Sequence, residues 1–487
     1  MEFTFTHDAE AFATPADKMQ AREFLELPSY AAAFYSSNHP PFPPTSPVAQ
    51  PSSLLTSANG KHNDDLSSST SSFPNTTPFP ARIDQSSHDA SGVTHDIARE
   101  EVIGRIEEFI CAWIATLSDN DISEPPTFEV RRRTKANSIY YPGERKNGES
   151  CQQLPGLKQG DGVVIKKLSE GGRGSARSYA AIFAILAFSH RILLSNQMAT
   201  SREVWYNYKA SHSCFKCQAD CDRAVLDAAS LLGVARHQLG IVGAAKGLMA
   251  GHFRFRVWGS GRAWNECDGG GGDGEGGLGC GGTLIDSCWI TDVMEVECLG
   301  KHRPRYIVVV EKECMFKRLI GDGLLGQAGG IVLITGKGYP DLATRACVKA
   351  LVDAFAVPVV GLCDCNPHGI ALLLTYKCGS FRMPESQAYR IPLCWLGLRP
   401  SQLKRRFDLP DDTFQAFSEG DISKCSSLMD SPFCQAHLPW REEVETMASE
   451  HLKCELEALN TFSGSKGRRD FLSQYVVSAL LSGDYLT

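Results

Sequence analysis

From about residue 97 onward the apolar positions of this chain follow two rhythms. Ile103, Ile106, Phe109, Ile110 and Trp113 recur at helical spacing and predict a helix over residues 97–118. The stretch ARSYAAIFAILAFSHRILL (176–194) is apolar nearly all round, so it predicts a buried helix, closed at Asn196. In Thr200-Ser201-Arg202-Glu203 a Glu follows three residues after a Thr, the capping-box signature that opens another helix. Residues 219–232 and 236–247 read as two further helices joined by a tight Gly233-Val234 turn, and 252–258 alternates as a strand does. Helices in tight succession followed by a strand predict a winged helix-turn-helix, with Arg236, His237 and Gln238 opening its groove-reading helix.

Beyond residue 303 the rhythm changes. YIVVVE (306–311), GIVLITG (330–336) and VPVVGLCD (357–364) are apolar strands, alternating with helices that include 340–355 and one from His368. That alternation predicts a parallel sheet covered on both faces. Residues 396–487 carry helical patterns such as 441–459 that buttress the sheet or a dimer and show no chemistry. The Gly-rich run 268–282 lacks the strand before and helix after that a nucleotide-binding loop requires, so it reads as a surface loop. Upstream, residues 36–95 are rich in Ser, Pro, Thr, Asn and His and are expected to be disordered, whether or not they serve as a docking arm. The expected fold class is an α/β multidomain chain: a disordered N-terminal extension (1–96), a winged-helix domain (97–260), a Gly-rich insertion and linker (261–302), a parallel α/β core (303–395) and a C-terminal helical extension (396–487).

Composition adds little to this picture. A formal net charge of −7 gives no global attraction to nucleic acid, so any DNA site must be a local basic patch. Arg131, Arg132 and Arg133 suit phosphate contact and a solvated charge run equally. The 18 cysteines are scattered, no apolar segment opens the chain, and no apolar run approaches the roughly 20 residues of a membrane span. A reducing compartment, nucleus or cytosol, and no membrane partner are expected.

Candidate chemistry concentrates where the strands end. Functional groups of open α/β sheets gather at the carboxyl ends of strands, and Glu311 and Asp364 both fall there. Two carboxylates about 4 Å apart repel by roughly 4 kcal/mol at an effective dielectric of 20. An oxygen-seeking divalent ion such as Mg²⁺ answers that repulsion, and Asn366 offers a neutral carbonyl oxygen. Pro367 and Gly369 shape the turn into the next helix. The spacing leaves another reading open, in which Asp364 caps that helix and Glu311 makes a surface pair. Cys363 and Cys365 face away from Asp364 and suit packing. Cys214, Cys217, Cys221 and His212 invite a zinc knuckle, but no second CxxC pair follows, which favours structural thiols. Lys337 lies in GKG without the spacing or the Ser/Thr of a P-loop, so no ATPase is visible.

A Glu ending the first strand of such a unit, with Asp-x-Asp/Asn-Pro-x-Gly ending the third, resembles the Toprim domain of topoisomerases. GKGYPDLATR (336–345), KGLMAG (246–251) and SREVWY (201–206) extend the likeness, in order, to the A subunit of topoisomerase VI and to the eukaryotic meiotic recombination initiators of that family. The resemblance implies that Tyr206 is the nucleophile on a DNA phosphate, leaving a 5′-phosphotyrosyl end and a free 3′-hydroxyl, with Arg202 one helical turn away to bind that phosphate. It also implies that Glu311, Asp364 and Asn366 hold Mg²⁺ and that a homodimer on double-stranded DNA is the catalytic unit, one protomer's Tyr working with its partner's metal. A topoisomerase VI B-like partner would supply any ATP step, meiotic accessory proteins would join, and the site of action would be the nucleus. Trp205 stands where the family's first Tyr is usual, and Asn366 replaces the second Asp, which weakens a second metal site. A DNA-binding scaffold that lost activity through Asn366 and a Toprim nuclease are the competing functions. Glu203 is explained by its cap, and Tyr208, two positions past the nucleophile, by packing.

Overall fold

The computed structural model describes residues 98–118, 127–131, 138–141, 154–157, 163–167, 173–209, 214–267, 281–300, 303–380, 383–405, 407, 409, 411–459 and 471–487. The N-terminal extension, Arg132, Arg133, His212 and the Gly-rich stretch 268–280 lie outside the described residues.

The first core is built from helices α1 (Arg99–Ser118), α2 (Arg173–Leu194), α3 (Ser201–Lys209) and α4 (Gln218–Leu232), with the antiparallel pair β1 (Thr127–Arg131) and β2 (Val163–Lys167). The expectation that no apolar run approaches membrane length is corrected here. Residues 176–194 of α2, with a mean hydropathy of 1.3, are long and apolar enough to cross a membrane. In the fold this apolarity is taken up internally: Ile182, Ile185 and Leu186 are fully buried in one cluster with Ile106 and Ile110 of α1 and Val225 of α4.

The second expected helix of the helix-turn-helix pair is also corrected. Only Arg236–Leu239 turns, as a short 3₁₀ helix, and Ile241–Val242 then pairs in parallel with Ala199–Thr200. Glycine explains the difference. Gly240, Gly243 and Gly247 each weaken a helix by about 1 kcal/mol relative to Ala. Gly240 adopts a left-handed φ of +74°, and a Cβ there would meet Ile192 Cδ1 at 2.7 Å. The groove-reading helix expected from Arg236 is therefore absent, and Arg236 sits in a turn.

The second core surrounds a six-stranded sheet. Its strands are β3 (Leu248–Ala250), β4 (Thr283–Leu284), β5 (Tyr306–Val310), β6 (Ile331–Thr335), β7 (Val359–Leu362) and β8 (Leu393–Gly397), in the spatial order β4-β3-β6-β5-β7-β8. Strands β6, β5, β7 and β8 run parallel, while β3 and β4 add antiparallel at one edge. Thus 248–250 and 283–284, upstream of residue 303, join this sheet. Ile307, Val308, Val309 and Val310 are all buried, as a strand covered on both faces requires. Helices α5 (Glu313–Gly321), α6 (Leu342–Phe355) and α7 (Pro367–Cys378) make the crossovers. Because the chain passes from β5 to β6 on one side and returns through α6 to β7 on the other, β5 and β7 are neighbours and their carboxyl ends meet at a switch point.

Downstream, the helical pattern expected over 441–459 stops early. Helix α8 (Leu438–Glu450) ends where His451 turns left-handed at φ 53°, and Leu452–Cys454 pairs as a strand with Phe414–Ala416. That strand carries the chain back to the switch point.

Candidate active site

Helix α3 is positioned at its first turn. Thr200 Oγ1 accepts the Glu203 N–H at 3.2 Å, and Glu203 Oε2 accepts the Thr200 N–H at 2.5 Å, closing the expected capping box. Val204 and Tyr208 are buried on the inner face. Tyr206, two residues from each and so on the other side of a 3.6-residue turn, is 56% exposed. The Arg202 guanidinium lies 5.9 Å and the Lys209 ammonium 5.8 Å from the Tyr206 ring centre. Hydrogen bonding and charge from Arg202, reinforced by Lys209, hold the Tyr206 phenol below its usual range near 10. Tyr208 is the opposite case: burial pushes its phenol up to about 12, and its hydroxyl donates to the Ala184 carbonyl at 2.9 Å.

Tyr206 and Arg202 line a groove of about 680 Å³ together with Trp205, Gln218, Arg236 and Met383. Sequence reasoning put Arg236 on a reading helix; the turn brings it beside the tyrosine instead. Its Nε is buried and has no hydrogen-bond partner among the described residues, and the residue lines the groove as a second guanidinium besides Arg202. Lys209 went unnoticed in the sequence, although its spacing of three residues from Tyr206 was the available signal.

The acidic pair forms at the neighbouring ends of β5 and β7. The register pairs Val310 with Leu362, so Glu311 and Asp364 follow one and two residues later at the ends of adjacent strands. The Asp364 main-chain N–H donates to Glu311 Oε2 at 3.0 Å. Burial first, then the charge of Asp364, pushes the Glu311 carboxyl up to about 7. Burial also raises Asp364, against the opposing pull of the Leu456 N–H on Oδ1 at 2.9 Å and of Lys312 Nζ on Oδ2, also at 2.9 Å. Neither Lys312 nor residue 456 was singled out in the sequence; the residue next to Glu311 was the one local hint. The C-terminal extension, expected to show no chemistry, thus touches the acidic pair directly.

The reading in which Asp364 caps α7 is set aside by Asn366, which holds that position. Asn366 Oδ1 accepts the Gly369 N–H at 2.7 Å, and Pro367 takes the first helical turn. Gly369 is demanded by close approach, since a Cβ there would lie 2.5 Å from the Asp364 carbonyl oxygen. Glu311 is partly buried and forms no surface ion pair among the described residues.

No cluster of three or more His, Cys, Asp or Glu is arranged to hold a metal among the described residues. Two carboxylates are nonetheless what Mg²⁺ ordinarily takes from a protein, with waters filling its octahedron. Glu311, driven toward its neutral form by burial and by Asp364, is a site whose charge a divalent ion would restore. The donor set fits the ion. Cys214 and Cys221 are buried with their thiols raised by desolvation, while Cys217 is exposed at the start of α4. Cys363 and Cys365 are fully buried beside Asp364, as packing requires.

Comparison with known proteins places these features in a family. Residues 306–476 match the model for the Toprim domain shared by Spo11 and the topoisomerase 6 A subunit, and residues 177–241 match the model for type IIB DNA topoisomerase. Meiotic recombination protein SPO11 of Homo sapiens is 31% identical over 389 residues, covering 79% of this chain and 89% of the human protein. Meiotic recombination protein SPO11-2 of Oryza sativa subsp. japonica is 32% identical over 389 residues, covering 79% and 93%. Meiotic recombination protein SPO11-1 of Arabidopsis thaliana is 30% identical over 303 residues, covering 61% and 75%. With a Toprim sheet whose acidic pair sits at the switch point and relatives matched over most of both lengths, the chain belongs to the family of meiotic recombination proteins formed by SPO11 and its topoisomerase VI A-type homologues.

Proposed function

We propose that this chain makes meiotic DNA double-strand breaks in the nucleus by a topoisomerase-like transesterification. The observation that carries the reading is Tyr206: an exposed phenol on a capped helix, lowered in pKa by the guanidinium beside it and opening onto a groove. In this reading the helical core that carries Tyr206 serves as a winged-helix DNA-binding module.

The reaction exchanges one ester for another. The Tyr206 oxygen attacks the DNA phosphorus and forms a Tyr–O–P bond, the bond from phosphorus to the 3′-oxygen breaks, the phenol proton passes to solvent, and the 3′-oxygen takes one up. The 5′-phosphate stays on the protein, so neither water nor ATP enters the bond exchange. Ordinary phenol is only about 0.1% ionised at neutral pH, and Arg202 and Lys209 increase that fraction. Arg202 also has the planar donors to hold a non-bridging phosphate oxygen, and Arg236 lines the same groove.

Glu311 and Asp364 would hold Mg²⁺, with Asn366 adjacent. When bound, such an ion would supply positive charge to offset that of the reacting phosphate. Neither acidic residue lines the Tyr206 groove of its own chain, which supports a homodimer in which Tyr206 of one protomer meets the acidic pair of the other. Double-stranded DNA is the substrate, bound through phosphates more than base edges. A topoisomerase VI B-like partner and meiotic accessory proteins complete the assembly.

The test is covalent. In meiotic cells wild-type protein should be recovered with short DNA attached, and Tyr206→Phe should bind DNA yet carry none. Attached DNA on Tyr206→Phe would overturn the assignment.

A further inference from the structure

The segment 454–457 lies some ninety residues beyond Asp364 and well over a hundred beyond Lys312, yet it contacts both. Cys365, immediately after Asp364, exchanges two main-chain hydrogen bonds with Cys454, at 2.8 and 3.1 Å, which fastens the segment to the loop. From that anchor the Leu456 N–H reaches Asp364 Oδ1 at 2.9 Å. Lys312, which enters from the start of α5, places its ammonium 2.9 Å from Asp364 Oδ2, 2.8 Å from Glu457 and 3.5 Å from Glu455. Both oxygens of Asp364 are therefore oriented by groups that this segment supplies or holds.

Exposed ion pairs are ordinarily worth little. Here one end of the chain of contacts is a carboxylate only 4% exposed, so its direction is set by its partners and not by water. We propose that Glu455 and Glu457 are positioning residues: they hold Lys312 against Asp364, and Lys312 with the Leu456 N–H fixes the orientation in which the Glu311/Asp364 pair receives its divalent ion. The inference rests on the reading, given above, that this pair is the metal site. Outer partners of this kind commonly change metal affinity by about 10–100-fold.

Simple electrostatics and positioning predict opposite signs for one substitution. Removing the Lys312 charge leaves four carboxylates with less compensation, so charge alone predicts tighter cation binding. Loss of positioning predicts weaker binding. The experiment measures Mn²⁺ binding to the full chain by calorimetry and by the electron paramagnetic resonance of the free ion, in the absence of DNA. Lys312→Met should bind Mn²⁺ about 10–100-fold more weakly, with affinity partly regained in Lys312→Arg. Glu455→Gln combined with Glu457→Gln, both at solvent-facing side chains, should show a similar loss with the thermal melt unchanged. Charge alone also predicts a loss there, so the double variant serves as the check that can overturn the role, by unchanged binding, should Lys312→Met fail to fold. Unchanged or tighter Mn²⁺ binding by Lys312→Met, or unchanged binding by the double amide, overturns the positioning role. The combination Glu311→Gln with Asp364→Asn must abolish binding; Mn²⁺ retained there overturns the metal-site reading itself, a failure distinct from that of the inference.

Discussion

Tyr206 and Tyr208 stand two positions apart on one nine-residue helix and meet opposite environments. The first is 56% exposed beside two cations, and the second is 8% exposed with its hydroxyl tied to the Ala184 carbonyl. Their roles should separate cleanly on substitution. Tyr208→Phe removes one buried hydrogen bond and should lower stability by about 0.5–1.5 kcal/mol while covalent DNA capture persists. Denaturant melts and capture assays run on the two Phe variants check the separation: only Tyr206→Phe should lose the adduct.

Arg202 gives the reaction a pH signature. The phenolate is the attacking species, so cleavage should rise with pH, about tenfold per unit, until pH passes the Tyr206 pKa. Arg202 lowers that pKa, so wild type reaches its plateau below pH 10. Arg202→Met should move the limb upward, toward the pKa of free phenol near 10. A pH series of single-turnover cleavage rates reads the midpoint, which a loss of DNA affinity alone would leave in place.

Arg236 should act on affinity and not on sequence preference. Its guanidinium lines the groove and suits a phosphate, so Arg236→Ala should weaken binding equally across unrelated duplexes and reduce the salt slope by about 1. Fluorescence anisotropy titrations between low and moderate salt provide the slope. Discrimination among sequences should be unchanged.

Asp421 offers a stability probe away from the chemistry. Its carboxylate caps a helix with Ser418 and pairs with Lys453 at 2.9 Å. Burial by itself would raise the carboxyl, but the Lys453 and Ser418 contacts outweigh it and hold it at about 2. A folded value below the unfolded one near 3.9 means stabilisation that is full above pH 4 and lost as pH falls toward 2. Asp421→Ala should cost about 1–2 kcal/mol at pH 7 and much less near pH 2. Urea midpoints at the two pH values measure the difference.

The parallel sheet was legible because its strands are short apolar runs with no competing period, and strand order alone makes the ends at Glu311 and Asp364 adjacent. The α3 cap was legible because both partners lie within four residues. What sequence did not reveal depends on longer range or on backbone freedom. Residues 236–247 carry apolar side chains at helical spacing, yet Gly240, Gly243 and Gly247 let tertiary packing impose a turn and a two-residue strand. The hydrogen bond from Leu456 to Asp364 joins parts of the chain that share no local pattern, and nothing in KCELEAL distinguishes a carboxylate facing Lys312 from one facing water.

Asn366 allows its two roles to be pulled apart. As N-cap of α7 it accepts the Gly369 N–H, a task Asp performs as well as Asn. As a neighbour of Glu311 and Asp364 it offers a neutral oxygen where Asp would add a charge. Asn366→Asp should therefore leave the thermal melt unchanged but tighten Mn²⁺ binding, whereas Asn366→Ala should cost about 1 kcal/mol through the lost cap. If Asn366 served only as a cap, Asn366→Asp would match wild type in both measurements. Tighter binding with more active DNA cleavage would mean that the amide limits the site's charge, and tighter binding with slower cleavage that the neutral residue keeps the ion from being held too firmly. Calorimetric Mn²⁺ titration beside cleavage rates at saturating metal distinguishes the three outcomes.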